Sequence, residues 1–323
     1  MTHRTVELRA EGVLLELLER GAAVRRLVVD GTDIALGHGD PDCYRTNPDY
    51  LGSTIGRYAN RIAGARFPLD GHEYEIAANE AGNALHGGTV GFDARDWTLD
   101  AASDTSATFS LVSADGDQGF PGELAATVTY TVSPGSVRID YVATTDLPTV
   151  VNLTNHTYFN LDGEGSGTVD DHTLSVAARA FTPGGPDLVP TGEVRDVTGT
   201  PFDLRTATRL GDVLAHDDEQ LRHGGGLDHN FVVDGSGMRP VARLSAGGRS
   251  LVVESDQPGV QVYTGVHFDH TIVGPSGAAY GTRAGIALET QGFPDAPHHA
   301  GFPSTVLRPG QTYRTSTIWR VTG

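Results

Sequence analysis

Residues 127–143 run Thr127-Val128-Thr129-Tyr130-Thr131-Val132-Ser133-Pro134-Gly135-Ser136-Val137-Arg138-Ile139-Asp140-Tyr141-Val142-Ala143, and their reading decides the fold. Val137, Ile139, Tyr141 and Ala143 fall on one side, with Arg138, Asp140 and Val142 on the other. That is the period of a strand with one buried face. Ser133-Pro134-Gly135-Ser136 separates this run from the strand-like Thr127 to Val132, so the pair predicts a hairpin with a Pro-Gly turn. Downstream, Val241 and Leu244, then Ala246-Gly247-Gly248-Arg249, then Leu251 and Val253, predict a second hairpin. Tyr313, Thr315, Thr317, Trp319 and Val321 alternate in the same way and predict a paired strand. Val13 to Arg20 lies between Gly12 and Gly21; eight residues is short for a helix and right for a strand. Only Arg205 to Leu210 and Asp212 to Ala215 predict short helical turns. Many short strands with turn signals between them predict an all-β chain, a sandwich or barrel. The Gly-rich patches at 163–167 and 224–226 read as loops, and without a linker residues 1–323 are expected to form one domain.

Composition narrows the chemistry. The 323 residues carry 23 basic side chains, all of them arginine, so Schiff-base, pyridoxal-phosphate and phosphate-loop lysine chemistry are excluded. A formal charge of −18 repels nucleic acid and anionic membrane surfaces. A single cysteine, Cys43, excludes an intrachain disulfide and Cys-only metal sites. No apolar run reaches membrane-spanning length, and Met1 to Glu7 has no apolar signal core. The expectation is a cytoplasmic protein without nucleic-acid or membrane partners.

Four segments place polar groups in a strand-like context. Gly56-Arg57-Tyr58-Ala59-Asn60-Arg61-Ile62 offers Arg forks and an amide suited to hydroxyls or a carboxylate, but alone it reads as an exposed loop with solvated arginines. Asn83-Ala84-Leu85-His86-Gly87-Gly88 places an imidazole at a glycine-rich loop edge. In residues 150–161, His156 and Tyr158 share parity and predict one strand face, either at a polar cleft or in a hydrogen-bonded core. Finally, Asp228 sits within residues 226–231, and Glu289 follows a short apolar run as a strand-end carboxylate. Asn152 and Asn155 match the glycosylation pattern and are discarded for want of a secretion signal. There is no His-Glu-x-x-His, EF-hand, dinucleotide fingerprint or nucleophile elbow. Adjacent His298 and His299 would point oppositely on a strand. A site without metal or cofactor is expected, although convergence of His86, His156 and Asp228 is left open.

Six ordered stretches together resemble the aldose 1-epimerase (galactose mutarotase) family. They are LGSTIGRYANRIAGARF (51–67), NALHGG (83–88), VVNLTNHTYFNLDG (150–163), GLDHNFVV (226–233), QPGVQVYTG (257–265) and LETQGFPDAPHHAGFPSTVLRPGQTY (288–313). The resemblance implies a large antiparallel β-sandwich with few short helices and a sugar in an open cleft. It implies Glu289 as catalytic base, His156 as catalytic acid and His86 as a second histidine at the sugar ring. Asn60, Arg61, Tyr158, Asp228 and Gln261 are implied as the sugar-holding shell. Val266, Gly292 and Thr89-Val90 depart from the family's usual residues and leave the sugar preference open.

The residue types suit the chemistry. Exchanging α and β anomers requires O1 deprotonated, ring O5 protonated, the C1–O5 bond broken, and a turn about C1–C2. That asks for one base and one acid on opposite sides of the anomeric centre, with no hydride carrier or metal. The expected substrate is a free hexose of galactose or glucose type, taken by a monomer or homodimer. The rivals are a mutarotase for phosphorylated or rarer sugars, with Arg57 and Arg95 as phosphate anchors, and a carbohydrate-binding protein without catalysis. A bell-shaped pH profile is expected, its acidic limb from Glu289 and its basic limb from His156.

Overall fold

The computed structural model describes residues 5–323; Met1–Arg4, part of the start read above for a signal, lie outside the described residues. The hairpin that opened the reading forms as Leu124–Ser133 against Ser136–Thr145, paired in register from Leu124↔Thr145 to Ser133↔Ser136. Val137, Ile139, Tyr141 and Ala143 are buried, while Arg138 and Thr144 are exposed. Gly135 closes the turn at φ +64°, a left-handed value that favours glycine.

This hairpin lies in a nine-stranded antiparallel sheet. Its order is Thr98–Ala102, Ser106–Ser113, Leu124–Ser133, Ser136–Thr145, Tyr313–Thr322, Arg249–Ser255, Arg239–Ala246, Thr173–Val176 and Thr208–Arg209. The second hairpin therefore forms as read. The Tyr313–Thr322 strand pairs on both sides, with Ser136–Thr145 and with Arg249–Ser255. Val13–Leu18 is a strand in a separate four-stranded sheet with Thr5–Ala10, Ala23–Val29 and Thr32–Asp33. A third, six-stranded sheet runs Tyr158–Phe159, Ile286–Gln291, Gly259–Tyr263, Asp228–Val233, Ala178–Thr182, Arg195–Asp196.

All three sheets contribute to one apolar cluster, with Leu15 and Val24 from the first, Tyr130, Ile139 and Trp319 from the second, and Phe231, Val262 and Leu288 from the third. Phe159 meets Trp319 edge-on at 5.1 Å, joining the six-stranded sheet to the nine-stranded one. The fold is the expected β-sandwich. Among the described residues the α-helices are Leu210–Leu214 and Glu219–Gly224. Arg205–Ala207 is not helical, because Thr208–Arg209 pairs as a strand with Thr173 and Leu174 and delays the helix to Leu210. The second helix, not foreseen, is capped by the Asp218 carboxylate, which accepts from the Gln220 N–H.

The exposed-loop reading of residues 56–62 is overturned: Arg57 and Arg61 are both buried. Arg57 Nη1 donates to the carbonyls of Pro121 (3.0 Å) and Gly122 (2.8 Å). Its Nη2 donates to Ser113 O (2.9 Å), Ser113 Oγ (2.7 Å) and Ala114 O (3.2 Å). The guanidinium thus ties the end of Ser106–Ser113 to the segment leading into Leu124–Ser133, and burial lowers its pKa to about 10. Truncation would strand several buried acceptors at once. Arg57→Met is expected to cost about 3 kcal/mol or more. Urea unfolding checks this: the midpoint should fall with an unchanged slope, and a wild-type midpoint would contradict the role.

Candidate active site

The six-stranded sheet supplies the floor. Phe231, Val233, Val260, Val262, Ile286 and Leu288 belong to the core cluster. Alternation then turns Asp228, Asn230, Gln261, Tyr263 and Glu289 to the opposite face. Register aligns them: Asn230 pairs with Gln261, Gln261 with Glu289, and Asp228 with Tyr263. Glu289 is inside Ile286–Gln291 rather than at its end, and that strand is buried throughout. Gln261 Nε2 donates to Asp228 Oδ1 at 2.6 Å, which aims the carboxylate. Among the described residues, Gln261 Oε1 and Glu289 Oε2 are buried without a protein partner.

Loops supply the walls. Asn60 and His86 both have left-handed backbones, φ +64° and +52°, the kind of strain that collects at functional sites. They hold each other: the His86 N–H donates to Asn60 O, and the Asn60 N–H donates to His86 Nδ1 at 3.1 Å. Asn60 Oδ1 accepts from the Arg61 N–H at 2.8 Å. Arg61 forms a bidentate pair with Glu80, at 2.6 and 2.8 Å. Downstream of Glu289, the Asp295 N–H donates to Arg61 O and Asp295 Oδ1 accepts from the Ala63 N–H, so one residue brackets the Arg61 backbone. His298 and His299 do not diverge on a strand; both turn back onto Asp295, at 2.6 and 3.2 Å.

His156 and Tyr158 do not share one continuous strand. Thr154–Asn155 pairs with Thr54–Ile55, Tyr158–Phe159 pairs with Ile286–Gln291, and the chain changes sheet between them. Their rings still meet, 4.8 Å between centroids. Asn60, Arg61, His86, His156, Tyr158, Asp228 and Glu289 line one cleft of about 230 Å³, and Gln261 supports it through Asp228. Tyr50, Glu80, Tyr263 and His267 also line it and were not singled out from sequence. Tyr263 carried a signal, sharing parity with Gln261 in a quoted stretch; Glu80 and Tyr50, on irregular loops, carried none. Arg57 and Arg95 do not line it, and Arg95 is paired with Asp117 at 2.6 Å. Neither Val266, Gly292 nor Thr89-Val90 lines it. Asn152 and Asn155 are buried, so neither could carry a glycan.

His156 Nε2 stands 3.5 Å from Glu289 Oε1, side by side rather than across a gap. Burial pushes Glu289 well above the ordinary carboxylate range, and the Asp228 charge adds to this while Arg61 opposes it. Burial pushes His156 down to about 4. Both shifts favour the uncharged form. They reverse the order expected from sequence: the limb on the acid side belongs to His156 and the limb on the basic side to Glu289. Between the limbs the pair carries a single proton. Asp228 is raised by burial, against the pull of Arg61 and the bond from Gln261.

His86, His156 and Glu289 bring ligand atoms within 4.8 Å of one another, the spacing of a metal triad, with Glu289 in the place sequence reading left to Asp228. The Asn60 N–H pointing at His86 Nδ1 makes that nitrogen an acceptor, so neutral His86 carries its hydrogen on Nε2. Nε2 is then a donor with no lone pair for a metal. The trio suits proton transfer and hydrogen bonding to oxygen.

The family model described as aldose 1-epimerase matches residues 4–320. The galactose mutarotase of Bos taurus is 42% identical over 322 residues, covering 97% of this chain and 92% of the relative. The aldose 1-epimerase of Escherichia coli (strain K12) is 37% identical over 323 residues, covering 96% and 92%. Among solved structures, an aldose epimerase homologue from C. elegans superposes with a TM-score of 0.92 at 30% identity, covering 99% of both chains. The galactose 1-epimerase of Lactobacillus acidophilus NCFM gives 0.90 at 28%, covering 99% and 94%.

The tautomer can be observed directly. Burial, then the charges of His156 and Arg61, hold the His86 pKa well below its ordinary value. Nitrogen-15 NMR should show His86 with bare Nδ1 and protonated Nε2, neutral at pH values where an exposed histidine is charged. Adding Zn²⁺ should leave that signal in place; a protonated Nδ1, or a shift on adding metal, would refute the assignment.

Proposed function

The chain belongs to the aldose 1-epimerase family and is an aldose 1-epimerase, and from that premise we propose how its cleft interconverts the α and β anomers of free hexoses of galactose or glucose type. The observation that carries the reading is the desolvated Glu289–His156 pair, 3.5 Å apart at the bottom of a small polar cleft. O1 and O5 are bonded to the same carbon, so a base and an acid that close reach one oxygen each.

The reactive form of the pair has its single proton on His156, and from it Glu289 takes the proton from O1 as the C1–O1 bond becomes a carbonyl. The C1–O5 bond breaks and its electron pair leaves with O5, which takes the proton of His156. The open aldehyde turns about C1–C2, and the same steps run backward: O5 attacks the other face of C1, His156 recovers its proton, and Glu289 returns one to O1. No atom is gained or lost and both groups end as they began. His86, with hydrogen on Nε2, donates to the ring oxygen and stabilises charge there. Asn60, Arg61, Tyr158 and Asp228, with Gln261 behind Asp228, hold the hydroxyls.

The acidic groups in the cleft support a neutral sugar. Asp49, Glu80, Asp228 and Glu289 line it against Arg61, which Glu80 already engages. A phosphorylated sugar would find no free Arg fork there. The reading has one domain over residues 1–323, working in the cytoplasm as a monomer or homodimer. No helix among the described residues is long and apolar enough to cross a membrane.

Polarimetry of freshly dissolved α-D-galactose, α-D-glucose and a hexose 6-phosphate tests the reading. The first two should reach equilibrium rotation faster with protein, and the phosphate should not. Glu289→Gln and His156→Asn should each lower kcat on the order of 10²–10⁴-fold, and the double variant by less than the product. Near-wild-type rates from folded Glu289→Gln would favour a binding protein without catalysis. The rate should be bell-shaped in pH, its lower limb near pH 4 from His156 and its upper limb from Glu289, above the usual carboxylate range. Activity should survive exhaustive chelation; loss restored by a divalent ion would contradict the metal-free route.

A further inference from the structure

Resting on this reading, the mechanism requires His156 to carry a proton in a place that strongly disfavours charge. The groups that face its imidazole are few. Glu289 lies 3.5 Å away, and the His86 ring stands edge-on at 5.3 Å and 86°. The rest are tyrosines: Tyr158 at 4.8 Å, Tyr50 at 5.8 Å and Tyr263 at 6.3 Å between centroids. Tyr263 crosses His156 at 71°, close to edge-on, and its hydroxyl is tied to His267 at 3.0 Å. Tyr50 lies at 35° to the imidazole plane, the smallest angle of the three, with its centroid 5.8 Å away and so within cation–π range.

Tyr50 is also the residue built most deliberately into place. Its backbone is left-handed, φ +57°, in a loop outside any strand. That loop is stitched to His156: the Gly52 N–H donates to His156 O at 3.0 Å, and the His156 N–H donates to Ser53 O at 2.9 Å. The Ser53 N–H in turn donates to Tyr50 O. The two backbones that carry the ring and the imidazole are therefore tied to each other by hydrogen bonds. The same ring packs against His86 at 4.6 Å and 66°. The Tyr50 hydroxyl makes no hydrogen bond among the described residues, and burial raises the phenol's pKa, so its part is not acid–base.

We propose that Tyr50 is a positioning residue whose π face offsets the charge of protonated His156 while its contact with His86 keeps that ring turned as a donor. A cation within about 6 Å of an aromatic centroid is attracted by the ring quadrupole, the more so when water is excluded. The role belongs to the ring, so withdrawing electron density from the ring is the change that bears on it.

The test uses the full chain with Tyr50→Phe, Tyr50→Leu, and position 50 replaced by mono-, di- and pentafluorophenylalanine, which keep the ring's shape while weakening its quadrupole. Tyr50→Phe, the ring without its hydroxyl, is the reference from which the fluorine series is read. Along the fluorine series kcat should fall steadily, to roughly a tenth at the pentafluoro ring. KM should stay constant and the lower limb of the pH profile should move to lower pH. Tyr50→Leu, if folded, should lie with the pentafluoro variant. A flat series, a Tyr50→Phe loss as large as that of Tyr50→Leu, or a change in KM alone would overturn the proposal. Glu289→Gln in the same assay separates the two readings. If it is inactive and the series is flat, only the Tyr50 role falls; if it is fully active, the catalytic reading falls with it.

Discussion

Keeping a carboxylate dry beside an imidazole is the constraint on which this cleft depends. Glu289 can be held at 2% exposure only because its strand is packed on one face against the apolar cluster and roofed on the other by loops. Each roofing piece is itself fixed by backbone hydrogen bonds: Asn60 to His86, Arg61 to Asp295, and His156 to the Gly52-Ser53 segment. Desolvation then sets the protonation order of the pair, which sequence alone had inverted. Opposite charges do favour each other, but for two groups buried this deeply the cost of forming both charges is the larger effect.

Much of the architecture was legible because period-two alternation and the turn chemistry of Pro134-Gly135 and Gly247-Gly248 act locally. The convergence of Asn60, Arg61, His86, His156, Asp228 and Glu289 on one cleft was legible only through the six ordered stretches. No spacing rule brings together residues from irregular loops and non-adjacent strands. The misses share a cause. Arg57 looked solvated because its acceptors, the carbonyls of Ser113, Ala114, Pro121 and Gly122, lie far along the chain. The His156–Tyr158 parity survived as ring contact although the strand did not, since the chain passes between sheets there. Glu80 and Tyr50 act through tertiary contacts alone, a bidentate pair and ring packing, and neither leaves a mark in local sequence.

The placement of Tyr313–Thr322 has a consequence for how this molecule comes into being. It lies between Ser136–Thr145 and Arg249–Ser255, yet it leaves the ribosome after both. Until it arrives, each neighbour presents an open row of backbone donors and acceptors, the kind of edge on which other chains can pair. The widest sheet is then two separate halves that only this later strand joins. Its contacts are also remote in sequence, which slows folding and lengthens the interval of exposure. Translation speed and chaperone access in the interval before Tyr313–Thr322 is made thus bear on the yield of this protein.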